Sequence, residues 1–533
     1  MKNFDYFGVM IDCSRNAVPS IPSLKNFLDI ISKMGYNCAM LYTEDTYEIP
    51  TEPFFGYKRG KYTLSELKEI DEYAQSIGIE LIPCIQTLAH LNAIFRWNCY
   101  KNNILDIADI MLIGDDHTYE LIEKMFKTLS ETLKTRKIHI GMDEAHYVGL
   151  GKFLDKNGFG DRYELLLSHL ARVCDIAKKY GYEALMWNDM FFRLAQNGDY
   201  RTDKYLNFPP EITEKIPENC KMVYWDYYAE KEEVYRAMME SSQKLSDSVW
   251  FAGGAWCWGG FTPHNKLSIR RNKIALPVCI EKGVKNVLLT MWGDDGGECP
   301  PFAVLPALMN AAASAEGMSE EEMKAKFLEI TGVSYDNALS LDTANYIYGD
   351  NFGVGSSNYS KNRLYNDIFL GITDKNNEHP VNTEIFAEKA ALLRNAQAEA
   401  GKLSYLFDTQ AALCEALAVK FDLGERTRDA YSRGDKEALL ALAKNDYTEF
   451  LEKLEIFYEA FRNQWEKINK PYGFETHDAR LGGLMLRTKN CRRRLLDYCN
   501  GAVDSIPELH EEVLVHDGGN IGGWSKIITA CPI

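Results

Sequence analysis

Residues 136–151 read RKIHIGMDEAHYVGLG. The segment begins as a β-branched strand, reaches two adjacent carboxylates at Asp143 and Glu144, and is then broken by glycines. A buried-looking strand that ends in acids places chemistry at its C-terminal end, so the sheet to which it belongs decides the fold. Working outward, similar runs recur along the first 300 or so residues: YFGVMID (6–12), NCAMLYT (37–43), IELIPCI (79–85), KIHIGMD (137–143), YEALMWN (182–188), KMVYWDY (221–227), VWFAGGAW (249–256) and NVLLTMW (286–292). Between them lie stretches such as SLKNFLDIISKMG, TLSELKEIDEYAQSIG and RYELLLSHLARVCDIAKKYG, with apolar residues at helical spacing and a terminal glycine suited to a C-cap. Near-continuous apolar strands joined by helices imply a parallel sheet covered on both faces. Eight such units predict an α/β fold of the (β/α)8, or TIM barrel, type over residues 1–318. A doubly wound open sheet is the alternative. It calls for a glycine-rich phosphate loop after the first strand, and GVMIDCSRNAVPS has no such pattern.

After PFAVLPALMNAAASAEG the composition changes. YGDNFGVGSSNYSKNRL (348–364) reads as a Gly/Ser/Asn-rich connection, and residues 381–500 are dominated by long helical patterns. Residues 319–533 are therefore expected to form a mainly helical second domain, a candidate surface for homodimerisation, with the tail EEVLVHDGGNIGGWSKIITA as a closing hairpin.

The 533 residues, 46% apolar and 12% aromatic, supply a large core and more than one domain. A net charge of −17 argues against nucleic-acid and anionic-membrane partners. The basic cluster RTKNCRRR (487–494) lies in a helical pattern and is read as a solvated or internally paired face. No run approaches the length of a membrane span, and the N-terminus reads as a strand rather than a signal segment. Thirteen cysteines, an odd number without a C-x-x-C pair and mostly at apolar positions, predict reduced thiols and a cytoplasmic setting.

A barrel carries its chemistry at the C-terminal ends of its strands. Those ends hold Asp12 and Arg15, Glu44 and Asp45, His90, Asp143 and Glu144, Trp187 and Asp189, Trp225 with Asp226 and Tyr227, Trp256 and Trp258, and Trp292 with Asp294. Five of the nine tryptophans fall at the ends of the last four strands. Flat aromatic walls interleaved with carboxylates and an arginine suit a sugar, whose C–H faces stack while its hydroxyls need polar partners. There is no H-E-x-x-H, no paired Cys/His set and no G-x-S-x-G. The spacing of Glu44, Asp45, Asp143 and Glu144 demands no metal, so neither metal nor cofactor is expected, and His139 is read as a core histidine.

Most glycosidases flank the scissile bond with two carboxylates from different strands, roughly 5–9.5 Å apart. Asp143 and Glu144 are neighbours and do not easily straddle a ring. On a regular strand they point to opposite faces. Either one faces the helices, or the strand has ended and both rise into the mouth, as glycines 141, 149 and 151 favour. Close carboxylates push their pKa values apart, giving an anion beside a general acid. That pair suits a nucleophile supplied by the substrate, such as the carbonyl oxygen of a 2-acetamido sugar.

HIGMDEA resembles the His-x-Gly-x-Asp-Glu signature of family 20 glycoside hydrolases, the β-N-acetylhexosaminidases. IDCSR (11–15), LYTED (41–45), QTLAHLNA (86–93) and MWGDD (291–295) resemble further elements of that family in the same order, covering residues 1 to about 315. The chain departs from its better-known members. Met142 stands where many have glycine, and the barrel has no small α/β domain before it. Asp294 replaces a usual glutamate, and the strand-seven Tyr-x-Asp is missing from AGGAWCW. These features resemble a divergent branch with a C-terminal helical domain, as in some streptococcal N-acetyl-β-glucosaminidases.

The resemblance implies exo-acting, retaining removal of terminal GlcNAc or GalNAc from an oligosaccharide substrate through an oxazolinium intermediate. Glu144 would be the acid/base and Asp143 the anion on the acetamide. Tyr227, chosen over Tyr224 and Tyr228, would donate to the acetamide carbonyl. Arg15 and Asp294 would hold the outer hydroxyls, with Trp187, Trp225, Trp256 and Trp292 as walls and Glu44 and His90 tuning Glu144. Two alternatives stay open: a two-carboxylate β-glycosidase using Asp226 or Asp294, and an inactive sugar-binding protein.

Overall fold

The computed structural model describes residues 2–347, 358–376, 384–517 and 523–532. Eight parallel strands close into a barrel in chain order: β1 (Tyr6–Asp12), β2 (Cys38–Tyr42), β3 (Glu80–Cys84), β4 (Lys137–His139), β5 (Glu183–Trp187), β6 (Cys220–Trp225), β7 (Val249–Gly254) and β8 (Asn286–Met291). β1 pairs with β2 on one side and with β8 on the other, Tyr6 opposite Asn286, which closes the ring.

The continuous apolar strands have a direct cause. Met10, Met40, Ile82, Leu185, Val223 and Leu288 fill the barrel interior, while their neighbours Val9, Ile11, Leu41 and Leu81 pack outward under the helices. Both faces are buried, so the polar/apolar alternation of a half-exposed strand is absent. Local signals set the helices between strands. Thr63 and Glu66 form a reciprocal capping box on Leu64–Ser76, and Ile21–Met34 ends at Gly35 with φ 105°.

β4 is shorter than the expected run 137–143. The backbone turns left-handed at Gly141 (φ 72°) and Met142 (φ 71°), which ends the strand before the carboxylates. An alanine at Gly141 would place its Cβ 2.0 Å from Gln86 Oε1, so glycine is required by both conformation and space.

The eighth unit ends with helix Leu305–Glu316, capped by Gly317, and beyond residue 319 the described chain contains helices and turns but no strand. In helix Asp446–Ile468 the residues Tyr447, Phe450, Leu454, Phe457, Phe461 and Trp465 recur at helical spacing and are buried. Phe457 and Phe461 close edge-on over Phe261, in the loop after β7, at 5.1 and 5.2 Å. The helical region is thereby seated on the C-terminal side of β7 and β8.

The basic cluster on helix Glu475–Cys499 is largely paired internally: Arg487 binds Asp367 at 2.6 Å, Arg494 binds Glu508, and Arg492 donates to the Ala443 carbonyl at 2.7 Å. The expected connection 348–364 is corrected in part. Tyr359–Tyr365 is a helix, and residues 348–357 lie outside the described residues. The closing hairpin is also corrected: Trp524–Ile528 is helical, with 518–522 outside the described residues. All thirteen cysteines carry free thiols. Among the described residues no helix is long and apolar enough to cross a membrane.

Candidate active site

At the C-terminal ends of the strands the side chains line a cavity open to solvent. Its polar lining is Arg15, His90, Asp143, Glu144 and Asp294, and its aromatic lining is Trp187, Trp225, Tyr227, Tyr228, Trp258 and Trp292. Non-glycine residues with left-handed backbones recur on the loops at this end, among them Glu44 (φ 47°), His90 (59°), Met142 (71°), Glu144 (53°) and Asp295 (61°). Each such residue costs of order 1–3 kcal/mol and persists only where surrounding contacts hold it.

Those contacts are specific around the two acids. Gln86 Nε2 donates to Asp143 Oδ1 at 2.8 Å, while Gln86 Oε1 accepts the Met142 N–H at 3.2 Å. His90 Nε2 stands 3.2 Å from Asp143 Oδ2 and 3.8 Å from Glu144 Oε2. Asp189 Oδ2 accepts the Glu144 backbone N–H at 3.0 Å and the Arg193 Nε–H at 2.9 Å, and Arg193 reaches Glu144 Oε1 at 3.2 Å. One acid is thus gripped by an amide and an imidazole, the other by a guanidinium.

The environment drives the two acids apart. Burial pushes Asp143 up, but the charge and hydrogen bond of His90, with the Gln86 amide, outweigh it and bring Asp143 down to about 2. Burial raises Glu144, and the adjacent Asp143 charge raises it further, against His90 and Arg193. Burial alone would lower His90; the Asp143 carboxylate overrides it and lifts the imidazole to about 10. Near neutrality Asp143 is therefore an anion held by an imidazolium, beside a carboxyl whose pKa is raised. Because Arg193 favours the Glu144 carboxylate, Arg193→Met should raise the Glu144 pKa. If Glu144 acts protonated, the alkaline limb of the kcat/KM profile then moves to higher pH. An unmoved or acid-shifted limb would count against that role.

The aromatic walls pack against one another. Trp225 stacks on Tyr227 at 5.4 Å and 20°, and Trp258 stacks on Trp256 at 4.3 Å and 10°. Gly254 permits this approach, since a Cβ there would lie 2.9 Å from the Trp258 ring and 3.1 Å from Tyr227. The Tyr227 hydroxyl accepts the Trp292 indole N–H at 3.0 Å. Tyr227 and Tyr228 both line the cavity, their rings 5.7 Å apart and set edge to face. Tyr224 is fully buried and spends its hydroxyl on Asp226 Oδ2 at 3.0 Å.

On the far side, Arg15 lies 3.3 Å from Asp12, 3.4 Å from Glu44 and 3.6 Å from Asp294, with its guanidinium against Tyr42 and Trp292. Three of the expected residues stand outside the cavity lining. Asp226 does not line the cavity, because its oxygens accept the Tyr228 and Ala229 N–H groups and the Tyr224 hydroxyl. Trp256 sits behind Trp258, which provides the wall instead. Glu44 is engaged by Arg15 at 3.4 Å and by the Tyr42 hydroxyl at 3.0 Å; burial, only partly offset by Arg15, pushes it up to about 7.

Gln86 and Arg193 hold the site without having been singled out for it, while Trp258 and Tyr228, named as a strand-end tryptophan and as an alternative to Tyr227, line it. Gln86 lies inside the quoted QTLAHLNA segment, and Arg193 stands one helical turn after Asp189 on helix Asp189–Ala195. That i, i+4 acid–base spacing was the available signal.

Two family models match the chain: the glycosyl hydrolase family 20 catalytic domain over residues 4–245, and the glycoside hydrolase 20C C-terminal domain over residues 336–526. Human hexosaminidase D is 22% identical over 347 residues, 60% of this chain and 68% of that protein. The bovine beta-hexosaminidase subunit alpha is 25% identical over 215 residues, 35% of this chain and 40% of that protein. The chain thus spans well under two thirds of the bovine subunit. Among solved structures, the exo beta-N-acetylglucosaminidase of Vibrio harveyi in complex with N-acetylglucosamine aligns with a TM-score of 0.47 at 16% identity, over 62% of this chain and 58% of that one.

Proposed function

The chain belongs to family 20 of the glycoside hydrolases and carries a 20C-type C-terminal domain, and from that premise we propose that it removes terminal β-linked N-acetylhexosamine by substrate-assisted, retaining hydrolysis. The observation that carries this reading is Asp143, held by Gln86 at 2.8 Å and His90 at 3.2 Å, immediately beside Glu144 in the cavity; the same surroundings lower the pKa of the first acid and raise that of the second.

In the first step the acetamide carbonyl oxygen of the substrate attacks the anomeric carbon, and the bond to the leaving oxygen breaks. Glu144 gives that oxygen its proton. Positive charge develops on the acetamide, and Asp143 stabilises it while accepting the acetamide N–H. Tyr227, its lone pair taken up by Trp292, donates to the carbonyl oxygen and aims it at the anomeric carbon. In the second step Glu144 takes a proton from water, which attacks the same carbon and opens the oxazolinium ring, so configuration is retained. Arg15 and Asp294 bind the outer hydroxyls, and the tryptophans pack on the sugar faces. The buried free thiols support a reducing, cytoplasmic setting.

An aryl β-N-acetylglucosaminide should be hydrolysed at least ~10³-fold faster than the matching aryl β-glucoside, which lacks the intramolecular nucleophile. Comparable rates would refute substrate assistance and favour a second protein carboxylate, with Asp294 the one still facing the cavity.

A further inference from the structure

The turn that follows β8 carries two cavity residues, Trp292 and Asp294, and then runs through three successive left-handed residues: Asp295 (φ 61°), Gly296 (124°) and Gly297 (69°). A backbone of this kind needs outside contacts to hold it. On the barrel side, Asp12 Oδ2 accepts the Gly293 N–H at 2.9 Å and Arg15 meets Asp294. The Gly259 N–H, from the loop after β7, also donates to the Asp294 carbonyl at 3.1 Å. Contacts to the residues that follow Asp294 come from the helical region. Lys361, fully buried, reaches Asp295 Oδ2 at 2.6 Å and Glu298 Oε2 at 2.7 Å. Arg480 donates to the Asp295 carbonyl at 2.6 Å, to its carboxylate at 3.0 Å, and to Glu298 at 3.2 Å. The His477 ring nitrogen lies 3.0 Å from the Gly296 carbonyl, and the Trp524 N–H is bonded to Asp295 at 2.8 Å. Gly296 is also the floor on which helix Glu475–Cys499 rests, since a Cβ there would lie 2.9 Å from Arg480.

The geometry points to a specific role for the helical region: Arg480 and Lys361 are positioning residues that set the place of Asp294, and through it the affinity for the outer hydroxyls of the bound sugar, without touching the sugar. The inference rests on the sugar-binding reading of Arg15 and Asp294 given above. Two cations clamp two carboxylates, and the clamp is linked by a single peptide bond to Asp294. A planar guanidinium that bonds a carbonyl and a carboxylate at once fixes orientation as well as distance, which a lysine does not reproduce. If the clamp served only to attach the helices, its loss would lower stability and leave hydroxyl selectivity alone.

The test compares an aryl β-N-acetylglucosaminide with its 4-deoxy and 6-deoxy analogues in Arg480→Gln, Arg480→Lys and Lys361→Met, each checked for a cooperative thermal transition. Arg480→Gln is expected to raise KM for the parent glycoside about tenfold, the loss of one well-placed charged hydrogen bond, with kcat within about threefold. At least one deoxy analogue should show less than about a twofold change, its contact being already absent, and Arg480→Lys should recover only part of the parent's affinity. In an Asp294→Ala background Arg480→Gln should add almost nothing. Equal losses on the parent and both deoxy substrates, or additivity with Asp294→Ala, would overturn the proposal. Should Lys361→Met fail to fold, the Arg480 pair carries the test alone. Calorimetric binding of N-acetylglucosamine and its deoxy forms repeats the contrast without turnover, so a failure of the hydrolytic reading and a failure of this one are told apart.

Discussion

Asp143→Asn should lower kcat on aryl β-N-acetylglucosaminides by about 10²–10³-fold, the range for losing one electrostatic stabiliser of a developing charge. Volume is conserved and Gln86 can still be met, so folding should be little affected. What disappears is the negative charge that stabilises the cationic acetamide. A second signature comes from His90. Its pKa of about 10 exists because the Asp143 carboxylate overrides burial. With that charge gone, burial acts unopposed by its main counterweight and the His90 pKa should fall, which NMR titration of the imidazole would record. Near-normal turnover in Asp143→Asn would remove it from the mechanism. Lost turnover with an unchanged His90 would leave the proposed coupling without support.

Glu144→Gln is the second large effect, and its size should depend on the leaving group. An amide cannot supply the proton, so a substrate with a basic alcohol leaving group should lose about 10²–10⁴-fold in kcat/KM. A 2,4-dinitrophenyl glycoside, whose phenolate leaves without protonation, should lose far less in the step that cleaves the glycosidic bond. Equal losses on both substrates would mean that Glu144 does not protonate the leaving oxygen.

Both effects fall on residues that sequence reading finds, because strand ends in a barrel are few and the side chains there are chemically conspicuous. Arg15, His90, Asp143, Glu144, Trp187, Trp225, Tyr227, Trp292 and Asp294 all line the cavity. Reading breaks down one step further from the strand. Asp226 looks like a mouth residue but caps its own loop, and Trp256 looks like a wall but backs Trp258. Met142 shows the same limit from the other direction. It occupies a left-handed position where glycine would be unstrained, so within KIHIGMD only Gly141 hints that the strand stops short of the carboxylates.

The sequence by itself determined the barrel and the strand ends that bear acids and tryptophans, because strand and helix periodicities are local and burial on both faces leaves an unmistakable apolar run. Only the tertiary structure decided that Trp292 bonds the Tyr227 hydroxyl, that Arg193 holds Glu144, and that Arg480 and Lys361 of the helical region grip the turn bearing Asp294. Past the last hydrogen-bonded residue of a strand, side-chain direction is set by left-handed loop dihedrals and by partners far away in the chain. Neither leaves a periodic trace in the sequence.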